Sequence, residues 1–237
     1  MGFRCLFHLH SRHSFDSILS ASRILAKARA LQIGALMVTD HDTLGGSLDT
    51  KRLSQGNPAF VVLAAEYKSE KGDIIGLFLK EEIRSRESDV IVRQIHEQGG
   101  LVVLPHPFKA HKLDEQLLSS IDIVETYNSR CSREENNMAV RLAEERMLPG
   151  IAGADAHCAA ELSAAINEYP ADPPGNEDEL KNLLLTAPRR ALTEQPSLLC
   201  RPYSQMIKAV KTRNPTLFLY QSKRFLLTLA RRERQLS

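Results

Sequence analysis

Five of the eight histidines in this 237-residue chain fall in four short blocks, three of which also bring a carboxylate. The blocks are His8-Leu9-His10 with Asp16 shortly after, Asp40-His41-Asp42, Pro105-His106-Pro107 and Asp155-Ala156-His157. Neutral imidazole and carboxylate are the ligands of zinc, manganese and iron. Residues presented from the ends of several strands can converge on one point. A polynuclear metal site is therefore the first expectation.

Elements able to carry these blocks alternate along the chain. Strands are expected at Arg4–Leu9, Ala35–Thr39, Phe60–Ala64, Ile74–Leu79, Leu101–Leu104, Asp122–Thr126 and Gly150–Gly153, each an apolar, β-forming run. Between them the spacing predicts helices at Ser20–Leu31, Leu44–Leu53, Asp89–Glu97, Leu113–Ser119 and Arg133–Arg146, with another at Glu177–Leu185. The Pro-rich run Tyr169–Gly175 reads as a loop. Alternation at this pace implies an α/β fold with a mostly parallel sheet. Roughly seven strands before residue 155 favour a closed or nearly closed barrel, whose working residues gather at the C-terminal strand ends. The histidine blocks fall at that end.

Composition is ordinary for a globular protein, with 43% hydrophobic and 25% charged residues. No apolar run approaches the roughly 20 residues that span a bilayer. Met1–Phe7 is too short and too soon interrupted by histidine for a signal peptide, so a cytoplasmic location is expected. Cys5, Cys131, Cys158 and Cys200 are scattered without a CxxC pair, which suits isolated reduced thiols. Residues 198–237 carry nine Lys/Arg and one acid, whereas residues 1–197 carry 22 basic and 28 acidic side chains. A boundary near Pro196 follows, dividing a 1–196 metal-site domain from a basic tail over 197–237.

Taken in order, His8-Leu9-His10-Ser11, Ser14-Phe15-Asp16-Ser17, Thr39-Asp40-His41-Asp42-Thr43, Glu66, Pro105-His106-Pro107 and Gly153-Ala154-Asp155-Ala156-His157 resemble the PHP (polymerase and histidinol phosphatase) family. The resemblance covers about residues 3–195 and leaves the tail outside. It implies a distorted (β/α)7 TIM-like barrel holding two or three divalent ions, Mn, Fe or Zn, and hydrolysing phosphate esters. By position, it would set His8, His10, Glu66 and Asp155 on one metal. Glu66 would bridge to a second that His106 also binds, and Asp16, His41 and His157 would hold a third. Asp73 stands where many relatives carry a histidine ligand. Two departures are visible: Leu6 replaces a common aspartate, and Ala154 replaces a serine.

For catalysis beyond the metals, His41 or His157 could protonate a leaving group. Arg130 is the preferred phosphate clamp, since guanidinium grips phosphate with two hydrogen bonds, and Lys109 is a second candidate. Arg130 could instead pair with Glu134 or Glu135. His13, His96 and His111 read as surface, core or stacking residues, and Thr43-Leu44-Gly45-Gly46 as a simple turn. Thr216–Leu236 reads as an amphipathic helix with Leu219, Ser222, Leu226, Leu229 and Ala230 on its apolar stripe and Lys223, Arg224, Arg231, Arg232 and Arg234 opposite. Packing on the barrel, contact with nucleic acid, or a membrane surface would each suit it.

The expected activity is thus metal-dependent phosphoester hydrolysis. The substrate is a phosphorylated small molecule or nucleic acid, with nucleotide or nucleic-acid ends favoured. Alternatives are a histidinol-phosphatase-like small-molecule phosphatase, an amidohydrolase, and a non-catalytic metal-binding interaction module.

Overall fold

The computed structural model describes residues 2–236, with backbone alone from 232 onward. Seven strands make a barrel: β1 (Phe3–Leu9), β2 (Ala35–His41), β3 (Phe60–Ser69), β4 (Gly72–Leu77), β5 (Leu101–Leu104), β6 (Ile123–Asn128) and β7 (Gly150–Gly153). Neighbours pair in chain order, and all pairs are parallel except those of β4, which runs against both β3 and β5. Outside lie α1 (Ala21–Ala30), α2 (Gly45–Ser54), α3 (Ser88–Glu97), the single turn α4 (Glu115–Leu118) and α5 (Arg133–Arg146).

The sheet closes between β7 and β1. Just past β7, the Ala154 amide donates to the Phe7 carbonyl, the Ala156 amide to His8, and the His10 amide to Ala156. Lower down, the partner of β1 is instead β8 (Ala165–Tyr169), antiparallel through Phe3–Tyr169 and Cys5–Asn167. There the buried Asn167 amide accepts from the Ala152 N–H and donates to the Ala152 carbonyl, both at 2.8 Å. One side chain thus spans the seam where backbone pairing changes partner. β8 continues, after α6 (Glu177–Thr186), to β9 (Arg190–Thr193).

Period-two alternation sorts the core. Phe3, Cys5 and Phe7 of β1, with Ala35, Met37, Val62, Ile75 and Val103, fill the barrel, and Leu180 and Leu184 of α6 pack into the same cluster. Leu6, Leu36 and Val38 face outward onto Ile24, Leu25 and Ala28 of α1. Val102, Leu104 and Val124 meet Ile91, Val92 and Ile95 of α3 in a third cluster. Each such side chain, fully buried, contributes about 1.5–3 kcal/mol relative to exposure.

Four elements, β8, β9 and the two helices of the tail, differ from the sequence expectation. Tyr169 ends β8 rather than beginning a loop, and β8 and β9 escape the strand pattern because Asn167, Glu168 and Arg190 interrupt it. Beyond Pro196 lie two helices, α7 (Cys200–Lys211) and α8 (Pro215–Leu236), packed as a pair. The expected apolar stripe of α8 is largely outward: Leu219 and Leu226 are 70% and 64% exposed, whereas Gln221 is buried. Its buried face is narrow because α8 packs chiefly on α7. Arg232 and Arg234 of the expected basic face lie outside the described side chains.

Candidate metal centre

The first ligand pair depends on a bulge. Parallel pairing of β1 with β2 slips between Phe7 and Leu9, and His8 takes a left-handed φ of 63°. The extra residue resets the alternation, so Leu9 packs outward while His8 and His10 both turn inward. His106 and Asp155 also sit at positive φ, 27° and 45°. Such conformations cost of order 1–3 kcal/mol each and persist where surrounding structure imposes them.

Eight of the nine residues singled out as ligands meet in three overlapping groups: His8–His10–Asp155, His8–Glu66–His106, and His10–Asp16–His41–His157. Ligand atoms within each group lie within 4.8 Å of one another. Glu66, from β3, is central, 3.5 Å from His8, 3.4 Å from His10 and 3.1 Å from both His41 and His106. Asp155 lies 3.7 Å from His8 and 3.5 Å from His10 and His157. Asp73 lines the same cavity but joins none of the three groups. Burial, then the neighbouring Glu66, raises the pKa of its carboxyl.

Hydrogen bonds fix which ring nitrogens face inward. His8 Nδ1 donates to Glu125 Oε1 at 2.7 Å. Ser14 Oγ spends its proton on Asp40 Oδ1 at 2.6 Å, so at 3.1 Å it accepts from His10 Nδ1. His157 Nδ1 donates to the Asp155 carbonyl at 2.8 Å. Each ring therefore offers an Nε2 lone pair to the interior. Nε2 of His8 and His10 and Oδ1 of Asp16 are buried without a hydrogen-bond partner. His157 Nε2 faces Asp16 Oδ2 at 3.1 Å, which demands a proton or a cation between them. Inward lone pairs, anchored from behind and mixed with carboxylates, fit divalent cations.

Charges follow the same logic. Burial favours neutral His8 and His41, but carboxylates outweigh it: Glu125, Glu66 and Asp155 raise His8, and Glu66 with Asp16 pushes His41 up to about 10. Burial, then His157 and His41, lowers His10 to about 3. Glu66 and Asp155 are held well below the usual carboxylate range, the surrounding histidines overcoming their burial. The carboxylate charge that raises His8 and His41 is charge that a divalent cation would balance.

Glu125, in the strand between Val124 and Thr126, has no counterpart in the sequence reading. It supports His8 in the role the missing aspartate at position 6 would suggest, while Leu6 points outward. Its second oxygen accepts from the His106 amide at 2.7 Å and Asn128 Nδ2 at 2.9 Å. Gly153 is needed opposite it, because a Cβ there would overlap Glu125 Oε1. A lone carboxylate in the apolar run Ile123-Val124-Glu125 was its available signal.

Above the ligands is a cavity of about 310 Å³. Lys109 reaches it 3.7 Å from Asp155. Arg130 also lines it, but its Nε and Nη2 bind Glu161 at 2.8–3.0 Å and its Nη1 binds Ser204 of α7 at 3.0 Å. Its acidic partner is thus Glu161, not Glu134 or Glu135. The roof comes from the tail: Arg201 and Gln205 of α7, Gln221 and Arg224 of α8. Gln221 Oε1 is buried with no hydrogen-bond partner among the described residues. Lys211 staples the roof down, donating at 2.7 Å to the carbonyls of Arg12, Ser14 and Ser17, around Asp16. Phe15 stacks on His41 at 4.5 Å and receives the Lys208 ammonium 4.7 Å from its ring.

Other histidines lie apart from the ligand groups. His13 pairs with Asp49 and His96 with Asp122, at 3.0 and 2.9 Å. His111 packs 5.5 Å from His106 and contacts the Asp73 carbonyl.

A family model described as PHP-associated (PHP_C) matches residues 133–185, from α5 into α6. Over 136 residues the chain is 32% identical to uncharacterized protein MJ1587 of Methanocaldococcus jannaschii, covering 52% of this chain and 80% of that one. Its fold is similar to a two-domain protein of Bacteroides vulgatus containing a predicted PHP-like metal-dependent phosphoesterase, with TM-score 0.64 and 15% identity. The segment from α5 into α6 thus matches the PHP-associated family, and the fold of the chain is that of a PHP-like barrel. The fold match covers 79% of this chain and 65% of the Bacteroides protein. A second similar structure is an amidohydrolase of Chromobacterium violaceum solved with bound sulfate and no metal. It has TM-score 0.59 and 14% identity, covering 77% of this chain and 97% of that one.

Proposed function

We propose that this PHP-like protein is a metal-dependent hydrolase of small phosphate esters. The observation that carries the reading is a set of inward imidazole lone pairs and carboxylates beneath a roof of cationic side chains. His8, His10, Glu66 and Asp155 would hold one divalent cation, Glu66 and His106 a second, and Asp16, His41 and His157 a third. Bound there, such ions supply an activated water and polarise the phosphoryl oxygens.

The protein's own groups do the rest. Lys109, Arg201 and Arg224 draw an anion into the cavity and offset its charge. Gln221 would accept, at its amide oxygen, a hydrogen bond from a free hydroxyl or N–H elsewhere on the substrate. With the third position free of metal, His41 would be the better proton donor to the leaving oxygen: its side chain is 19% exposed, against 5% for His157. Arg130 keeps the roof in place through Glu161 and Ser204 rather than gripping phosphate directly.

Roofing favours small esters over nucleic-acid ends, because a polymer must displace α8 to reach Glu66. The cationic roof also favours phosphate over a neutral amide. Elemental analysis of the purified protein, joined to phosphate release from small esters, oligonucleotides and amides, tests the reading. Turnover of small esters should vanish with chelation and return with Mn²⁺. Inactivity of the Mn²⁺-loaded protein on every phosphoester would remove the reading, and faster turnover of oligonucleotides would return it to nucleic-acid ends.

A further inference from the structure

Cys158 and Cys200 face each other across the joint between barrel and roof. Cys158 directly follows His157 and opens the 3-10 turn Ala159–Glu161, while Cys200 is the first residue of α7. The two sulfurs and a Glu161 oxygen lie within 4.8 Å of one another. Cys200 is buried and Cys158 half-buried, so a small oxidant can reach the pair.

These three groups have the composition of a metal site, but Glu161 is already saturated. Its Oε1 accepts from Arg130 Nε and Nη2, and its Oε2 from Arg130 Nη2 and the amides of His157 and Cys158. A cation would have to break that buried bidentate pair, which holds the roof to the barrel. Two adjacent thiols remain. The Cys200 pKa is drawn down, chiefly by the hydrogen bond from the Cys158 thiol, against burial and Glu161. A thiolate-prone sulfur beside a second thiol is the arrangement in which oxidation ends in a disulfide.

We propose that Cys158 and Cys200 are a reversible dithiol–disulfide pair that locks the α7–α8 roof onto the His157 loop, with hydrogen peroxide as oxidant. One sulfur attacks peroxide and breaks its O–O bond, giving a sulfenic acid and one water. The other sulfur displaces the sulfenic oxygen, which departs with the remaining thiol proton as a second water. Two thiols lose two electrons and two protons, and one peroxide is reduced to two waters. A dithiol reductant returns the electrons and reopens the lock.

The lock would act on access to the cavity. Arg201 is adjacent to Cys200, and Gln205 is on the same helix. In the dithiol form the described contacts holding the roof, Lys211 on three carbonyls, Arg130 on Ser204, Lys208 on Phe15 and helix packing, are all non-covalent.

The test uses the full chain, treated with equimolar peroxide and followed by free-thiol count, non-reducing peptide mapping and hydrogen exchange. The count should fall from four thiols to two, with a Cys158–Cys200 cross-link formed before Cys131, the other half-buried cysteine, reacts. Dithiothreitol should restore all four, and Cys158→Ser and Cys200→Ser should each abolish the cross-link. Amide exchange in α7 and α8 should slow in the oxidised wild type alone.

Oxidation of Cys131 first, sulfinic acid without a cross-link, or a cross-link that leaves exchange in α7 unchanged would overturn the proposal. So would thiols that react only after a zinc chelator is added, since the pair would then be a metal site. None of these readouts needs turnover. A cross-linking protein inactive on every ester would remove the hydrolase reading and leave the lock.

Discussion

At the scale of single residues, Glu125 decides how the ligand cluster is held. One carboxylate fixes the tautomer of His8 through Nδ1 and the position of His106 through its amide. Glu125→Gln keeps the shape but weakens the bond to His8. Loss of such a supporting carboxylate typically costs 10–100-fold in metal affinity, and a Mn²⁺ or Zn²⁺ titration should read a drop of about that size with little change in secondary structure. His41 gives a pH signature. Its pKa rises from the ordinary 6.5 to about 10 when only carboxylates surround it. A raised histidine stabilises the fold fully below pH 6.5, and that stability is lost as pH rises through about 10. Cations compete with the same proton and bind better as it leaves. The melting temperature of chelated protein should therefore fall between these pH values, while the Mn²⁺-loaded protein holds level. Parallel curves for the two forms would contradict the shared-site account.

At the scale of elements, Asn167 stands where β1 changes partner from β8 to the chain beyond β7. Asn167→Leu leaves the Ala152 N–H and carbonyl buried and unpaired, at about 1–3 kcal/mol for each group. Urea unfolding should show a midpoint lowered accordingly, with no matching loss for a substitution at exposed Arg190. The seven barrel strands were legible because each is an apolar run. The histidines, Asp16 and Asp155 among the eight gathered residues were legible because their blocks stand at strand ends, whereas Glu66, inside β3, was reached only through the family resemblance. β8 was not, since Asn167 turns its one polar inward position to a structural purpose that looks like an interruption. The roof was not legible either. Lys211 meets Arg12 across 199 residues, and no local periodicity encodes a contact at that separation. On α8, hydropathy put Leu219 inward, whereas Gln221 is the buried residue because it lines a polar cavity.

At the scale of the whole molecule, the tail belongs to the cavity. A chain ending at Pro196 would retain all eight gathered ligand residues and lose Arg201, Gln205, Gln221 and Arg224. If 1–196 is the metal-binding unit we propose, it should still take up metal. Its KM for a small phosphate ester should rise at least ~10-fold, equivalent to about 1.4 kcal/mol of lost binding. Equal KM values for the two chains would remove the roof from substrate recognition. Among the described residues no helix is long and apolar enough to cross a membrane. The seam between β1 and its late partners also sets a timetable. β1 leaves the ribosome about 150 residues before Ala156 and Tyr169, the partners of its edge, so most of the barrel is made before that edge is covered. Until then His8 and His10 lie on an unpaired edge, so a cation arriving during synthesis meets an incomplete set of donors. Long-range closure of this kind folds slowly. Metal binding at this site is therefore expected to follow closure of the barrel rather than to nucleate it.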